Sequence, residues 1–420
     1  MKSKIVTLDE LGEFKNGLNF NKYDYGEGYP IINVKQLYQS RFASTKNLLS
    51  IRKDFGKKID NYTVKKGDLL FARGSMVAKG AGQVVMVNDF KPGTVFSGFI
   101  IRFRVNDEKK INPLFLNYIL RSPKYRGQFV RLAEGSVHSN FNQEILGNFK
   151  IELPSIHIQN IITNILGKID DSIELLQTLD SHLEDIIKTF FKSWFIDFDG
   201  QTEFIDSELG KIPKGWKCYH TDEIKKEKKG IVSGPFGSNI GSRFFQTIGI
   251  PVIRGNNLTI GKEEFIDAGF VYITQEKAEE LKNCQAIQGD IVFTAVGTLG
   301  QVGIIPIYSK YEKYVISNKQ LRLRIATDIA TPFYCYYWYS YPDVSNFIIN
   351  QNKGTSVPLI NLQVLKSIPI IIPPLTKMKE FEKLVEHIKF TQHNLRQKID
   401  LLSEVRDLIL PKLMSGEIRI

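Results

Sequence analysis

Two stretches of this chain place apolar residues in steps of three and four over several heptads. The first runs Ile162, Ile165, Ile169, Ile173, Leu176, Leu183, Ile187, Phe190 and Trp194, interrupted at Asp180 beside Leu179. The second runs Phe381, Leu384, Ile388, Thr391, Leu395, Lys398, Leu402, Val405 and Ile409. A sustained 3.5-residue repeat predicts a coiled-coil seam. Forty residues at the helical rise would make a rod of roughly 60 Å. Neither helix can bury its stripe alone, so each is the obvious partner of the other. Thr391 and Lys398 occupy seam positions, where polar residues set register and pairing.

Ahead of each helix the pattern changes to short apolar runs bounded by turn residues. TVKKGDLLFA, GQVVMVN and TVFSGFIIRF come first, then GDIVFTAVG, QVGIIPIY and YVISNKQLRLRI. Val, Ile, Phe and Tyr between Gly, Asp and Asn predict strands. One helix is predicted in each set, from Pro113 to about Leu120 and from Pro332 to about Ser340, with proline in the first turn. The aromatic-dense PFYCYYWYSY belongs to the second. Its alignment with PLFLNYILRSP favours a packing element over a base-stacking platform.

These blocks are a duplication. GDLLFARGS at Gly67 returns as GDIVFTAVGT at Gly289, and SGFIIRFR at Ser97 returns as SNKQLRLR at Ser317. Asn142 and Asn361 open NQEIL and NLQVL, each leading to a proline, Pro154 or Pro373. Pro113, Tyr118 and Pro123 recur as Pro332, Tyr337 and Pro342. Offsets of 219 to 222 across ordered blocks predict two copies of one domain, each followed by a helix. The predicted organisation is a domain over 1–153, a helix over 154–197, a linker over 198–215 (rich in Gly with Pro213), a second domain over 216–373 and a second helix over 374–415. The fold class is α+β, two similar α/β domains and two long antiparallel helices.

A length of 420 residues fits two or three domains. Residues 1–150 carry 25 Lys/Arg against 13 Asp/Glu, whereas 151–200 carry 3 against 9. Residues 201–374 give 19 against 16 and residues 375–420 give 9 against 7. The basic excess therefore sits in the repeated globular parts, with an acidic strip between them. It suits a polyanion, since each neutralised phosphate releases counterions. It also suits simple solubility. Three scattered cysteines, Cys218, Cys284 and Cys335, form no framework and read as reduced thiols. No signal-like h-region and no apolar run of spanning length occur, so a cytoplasmic protein without a membrane partner is expected.

Four segments together resemble a known family. The linker SELGKIPKGW, the helix end FKSWFIDFD, the block GPFGS from Gly234 to Ser238 and the terminal LPKLMSGEIRI are similar to those of the DNA-specificity subunits of type I restriction-modification systems. The resemblance covers essentially the whole chain, twice over. It implies two target-recognition domains with a conserved helix after each, the helices packed antiparallel as a spacer. It also implies double-stranded DNA, methyltransferase (modification) subunits, expected to be two, and restriction/translocase subunits as partners. The first repeat departs from the pattern: where GPFGS is expected, it reads FKNGLNFNKYDYGEGYP.

The chain lacks the motifs of an enzyme. The only Pro-Pro, Pro373-Pro374, is followed by Leu375, not by the aromatic of an amino-methyltransferase motif. GTLGQVG has glycines but no phosphate-loop lysine, and no paired Cys/His set or H-E-x-x-H occurs. No catalytic site, cofactor or metal is expected. Base readers are then sought in loops that combine Gly with Arg, Asn, Gln or Lys. Near a shared proline lie Asn33, Lys35 and Gln36 in one copy, and Arg254, Asn256 and Asn257 in the other. After the shared Gly-Asp come Arg73, Ser75 and Lys79, against Thr294, Thr298 and Gln301. Before the shared Asn come Ser136, His138 and Ser139, against Lys353, Thr355 and Ser356. Ser238 closes the GPFGS block and Asn239 follows it. For any one of these the competing reading is a solvated turn. Strands persist while loops differ, which predicts different half-sites for the two domains. Competing functions are a stand-alone bipartite DNA binder and a coiled-coil scaffold whose globular ends bind protein.

Overall fold

A computed structural model describes residues 3–38, 40–55, 59–74, 80, 82–134, 141–260, 264–354, 357–415 and 417–418. The chain divides into two compact units, Met1–Leu175 with Ile399–Ile420, and Leu176–Lys398. Each takes one half of each long helix, Ile156–Phe195 and Leu375–Ser415.

In the first unit, Lys4–Thr7 pairs antiparallel with Lys150–Leu153, joining the start of the domain to its end. An antiparallel sheet runs in the order Gly12–Asn16, Ile100–Val105, Leu69–Ala72, Val84–Met86. A smaller sheet places Gly28–Ile32 between Leu49–Arg52 and Val95–Phe96. The second unit repeats this plan. Lys217–His220 pairs with Pro369–Ile372, and Ile231–Ser233, Gln320–Leu323, Ile291–Thr294 and Val302–Ile304 form the antiparallel sheet. Its smaller sheet runs Val271–Ile273, Ile250–Ile253, Tyr314–Ile316, Gln285–Ala286.

The repeated Gly-Asp is explained by a turn and a buried ion pair. Gly67 and Gly289 have φ of 88° and 81°, a region open chiefly to glycine. Asp68 closes its own turn by accepting from Lys65 N–H at 2.6 Å, and Asp290 from Ile287 N–H at 2.9 Å. Each carboxylate, 1% exposed, then takes a two-pronged arginine: Arg104 on Asp68, Arg324 on Asp290, all four contacts at 2.7 Å. The arginines of the SxxxxRxR block are thus structural, because a buried carboxylate requires a geometrically matched cation.

The helices Pro113–Arg121 and Pro332–Ser340 form as predicted, and Phe333 to Tyr339 are all buried. The aromatic run is a core element. Each is followed by a second helix opened by the shared proline, Pro123–Glu134 and Pro342–Asn350. Asn142 and Asn361 recur because each caps a short helix, accepting from Ile145 N–H at 2.7 Å and Val364 N–H at 3.0 Å.

Within each unit the two long helices run antiparallel. In the first, Asp170 meets Arg406, while Ile162 and Leu166 share a core with Leu410 and Leu413. In the second, Asp180 meets Arg396 at 3.1 Å, and Phe191 and Phe195 meet Phe381. Ile173, Ile187 and Leu395 are buried as predicted, with Ile169, Leu176, Leu183, Leu402, Val405 and Ile409 half-buried. The expected seam is corrected at three places. Phe190 is 39% exposed, and its neighbour Phe191 is buried instead. Lys398 is exposed, and Thr391 bonds its own helix at His387 O. The polar residues buried on the second long helix are Lys389 and Gln392, and those on the first are Gln159, Thr163 and Asp170. Within each unit these helices face the mixed α/β part as well as each other, so the buried stripe is wider than a two-helix seam.

Candidate nucleic-acid interface

In the second unit a cleft of about 720 Å³ opens beside the antiparallel sheet. Four segments build it: the 3-10 turns after Gly234, the turn Gly255–Asn257, and the segments following strands Ile291–Thr294 and Tyr314–Ile316. Of the predicted readers it gathers Arg254, Asn256, Thr294, Thr298 and Gln301, and it adds Ser242, Asn318 and Lys319. Among the described residues its lining contains Arg254 and Lys319 but no carboxylate, so its chemistry suits an anion. The Arg254 Nε is buried without an acceptor. A buried unpaired donor is costly unless a ligand satisfies it. Gly297, at φ 108°, lets the backbone form the rim, and its N–H donates to Pro358 O at 3.0 Å. That bond ties the loop carrying exposed Lys353 to the cleft edge.

Several predicted readers shape the loops. Asn257 is fully buried: its side-chain oxygen accepts from Arg254 N–H, and its amide donates to Ile266 O and Ala268 O, both at 2.9 Å. Gln36 is 7% exposed and accepts from Asn33 N–H at 3.1 Å. These two positions correspond, and in both the side chain closes the turn. Gln301 lines the cleft, yet its amide already donates to Leu258 O and accepts from Thr294. Asn33 and Arg73 are half-buried, whereas Lys35, Ser238, Asn239 and Thr298 are exposed. Ser75, Lys79, Ser136, His138, Ser139, Thr355 and Ser356 lie outside the described residues.

The backbone also supplies the missing counterpart of GPFGS. Gly17 N–H donates to Ile100 O, and Gly234 N–H to Gln320 O, at equivalent strand positions. A Cβ on Gly17 would lie 2.0 Å from Ser97 O, and one on Gly234 1.8 Å from Ser317 O. Both loops therefore begin at a glycine pressed on the shared serine. Beyond it the rims differ: Asn19 stands where Phe236 is 85% exposed, and Phe99, 71% exposed, stands where Lys319 lies. Sequence reasoning missed Phe236, Phe99, Asn318 and Lys319. The signal available was their place directly beside the two repeated blocks.

Among the described residues no group of His, Cys, Asp and Glu could hold a metal, and no helix is long and apolar enough to cross a membrane.

Comparison with known proteins agrees with this geometry. The family described as Type I restriction modification DNA specificity domain matches residues 2–185 and 213–402. The MjaIX specificity subunit of a type I restriction enzyme from Methanocaldococcus jannaschii is 27% identical over 328 residues, 73% of this chain and 69% of that one. The HindI specificity subunit from Haemophilus influenzae is 24% identical, covering 97% of this chain and 98% of its own. The crystal structure of a type I restriction-modification system S subunit from M. genitalium superposes with a TM-score of 0.52 at 16% identity, over 98% of this chain and 96% of that one, a likeness of fold. With the family matched over both repeats, the chain belongs to the type I restriction-modification DNA specificity domains.

Proposed function

We propose that this chain is the non-catalytic, DNA-reading subunit of a type I restriction-modification complex, with residues 1–153 and 216–373 each reading one half of an asymmetric, bipartite target. The long helices would set the number of unread bases between the halves and dock two modification subunits, with restriction/translocase subunits joining the assembly in the cytoplasm. The observation that carries this reading is the cleft of the second unit, with Arg254 and Lys319 in its wall and no carboxylate among the described residues that line it. Arginine suits a guanine edge or a phosphate, and Asn256 suits adenine. The rims differ between the units while the strands beneath agree, which favours two unlike half-sites.

Methylated-adenine mapping tests the proposal, using a host that expresses this chain with its modification subunits. The expected result is one motif of two unlike blocks separated by a fixed unread gap. A single contiguous motif would overturn it.

A further inference from the structure

Where each domain meets the long helices, one polar cluster recurs with its charges reversed. In the first unit Asp170 on the first long helix accepts from the Tyr118 hydroxyl at 2.6 Å. It also forms 3.0 Å ion pairs with Arg41 from a domain loop and Arg406 from the second long helix. In the second unit Lys389 on the second long helix lies 2.7 Å from Glu264 of a domain loop and 2.7 Å from Glu184 of the first long helix. Tyr337 donates to Glu184 at 3.0 Å.

The positions correspond. Asp170 and Lys389 are separated by the repeat offset of 219, as are Tyr118 and Tyr337. Arg41 and Glu264 match through the backbone: Met86 N–H donates to Arg41 O and Ile304 N–H to Glu264 O, and Met86 and Ile304 end equivalent strands. The loop is cationic over an anionic hub in one unit and anionic over a cationic hub in the other. The arm from the opposite helix is reversed too. The five side chains Arg41, Asp170, Glu184, Glu264 and Lys389 are only 5% to 13% exposed, so like charges there would be neither hydrated nor screened. Burial works to lower the Lys389 ammonium, but Glu264 and Glu184 outweigh it and hold it above its ordinary range.

We infer that the junctions are charge-coded addresses, each matching a recognition domain to the helix of its own repeat and rejecting the helix of the other. A misplaced first domain would set Arg41 against Lys389, whose remaining partner Glu184 is already engaged by that ammonium. A misplaced second domain would set Glu264 against Asp170. The code thereby fixes the order of the two readers, and with it the order of half-sites. That consequence rests on the two-reader function; the code itself does not, and its test involves no DNA.

The full chain is compared by scanning calorimetry in four forms. Exchanging the loop charges, Arg41→Glu with Glu264→Arg, keeps net charge constant and is expected to lower the melting midpoint by on the order of 10 °C. The neutral pair Arg41→Gln with Glu264→Gln should lose less than half of that. Adding Asp170→Lys, Arg406→Glu, Lys389→Asp and Glu184→Arg to the exchanged loops installs each cluster in the other unit and should recover most of the loss. If the exchanged chain is no less stable than the neutral one, or the six-residue variant recovers nothing, the code is refuted. Should the exchanged chain not fold, the six-residue variant decides: recovery of a cooperative transition supports the code and its absence overturns it.

Discussion

The turns that carry Asp68 and Asp290 are built to the same distances, while the rims beside them have little in common. Both carboxylates are 1% exposed and gripped by a two-pronged arginine at 2.7 Å. At the rim, Asn19 faces the place of Phe236, and Phe99 that of Lys319. Burial explains the contrast. A buried charge that loses its partner destabilises the whole unit, so the pair cannot drift. A rim residue loses only solvent contacts when it changes, so the reading surface can diverge on a constant frame.

The sharpest test of that frame removes the carboxylates. Asp290→Ala strands Arg324 and also Arg322, which is 1% exposed and 3.5 Å from Asp290. A loss of roughly 3–5 kcal/mol is expected in chemical denaturation. Asp68→Ala should cost less, since Arg102 is 8% exposed and closer to water. Losses below about 1 kcal/mol in both would mean that the pairs are incidental to the fold.

The helices allow a second contrast, inside the first unit. Ile173 is 7% exposed, whereas Leu402 is half-buried. Ile173→Asp should destabilise by about 3 kcal/mol or more, and Leu402→Asp by clearly less, because its carboxylate reaches water. Equal losses would restore the symmetric seam that periodicity alone predicts.

What the sequence made legible follows the same division between buried and exposed. The strands, the Pro-led helices and both long helices were visible because burial preserves apolar spacing, and the Gly-Asp blocks because they carry a buried ion pair. Gly17 was not seen to match Gly234, since a glycine is the only residue those loops share. Asp170 and Lys389 share a position but not a charge, so similarity could not pair them. Asn257 and Gln36 have side chains suited to adenine, and only their burial shows that the turn uses them. Composition gives the chemistry a loop can offer; packing decides what remains to offer.

The capping of the Pro-led helices differs between units and makes stability respond to pH in one of them. Asn112 caps the first with its own side chain, accepting from Leu114 and Phe115 N–H. In the second, Glu382 on the long helix accepts from Phe333 N–H at 3.2 Å, and the equivalent position in the first unit is Thr163. Burial pushes the Glu382 carboxyl up to about 7. With the folded value raised, its contribution is complete below the ordinary carboxyl range and is lost as pH rises through about 7. Between those limits the second unit should lose at most roughly 3 kcal/mol, and Glu382→Gln should flatten that slope. An unchanged slope in Glu382→Gln would assign the pH response to another group.

The smallest effect expected is the most specific, because it tests the proposal that each unit reads its own half-site. Arg254 lines the cleft of the second unit with its Nε unpaired, while Arg73 is half-buried at the end of Leu69–Ala72, the first unit's counterpart of Ile291–Thr294. If Arg254 meets a guanine edge, Arg254→Ala should cost roughly 1–3 kcal/mol and relax specificity at bases of one half-site only. If it meets a phosphate, affinity should fall evenly across sequences and the salt slope by about one. Arg73→Ala should act in the same way on the other half-site. The measurement is affinity for duplexes altered in one half-site at a time, at two salt concentrations, with the chain in its modification complex. Uniform loss from Arg254 with base-specific loss from Arg73 would still keep one reader per unit, since each effect stays with its own contacts. Relaxation at the same bases in both variants would not, because a single half-site would then be read by two domains, and the divergence of their rims would have no counterpart in the target.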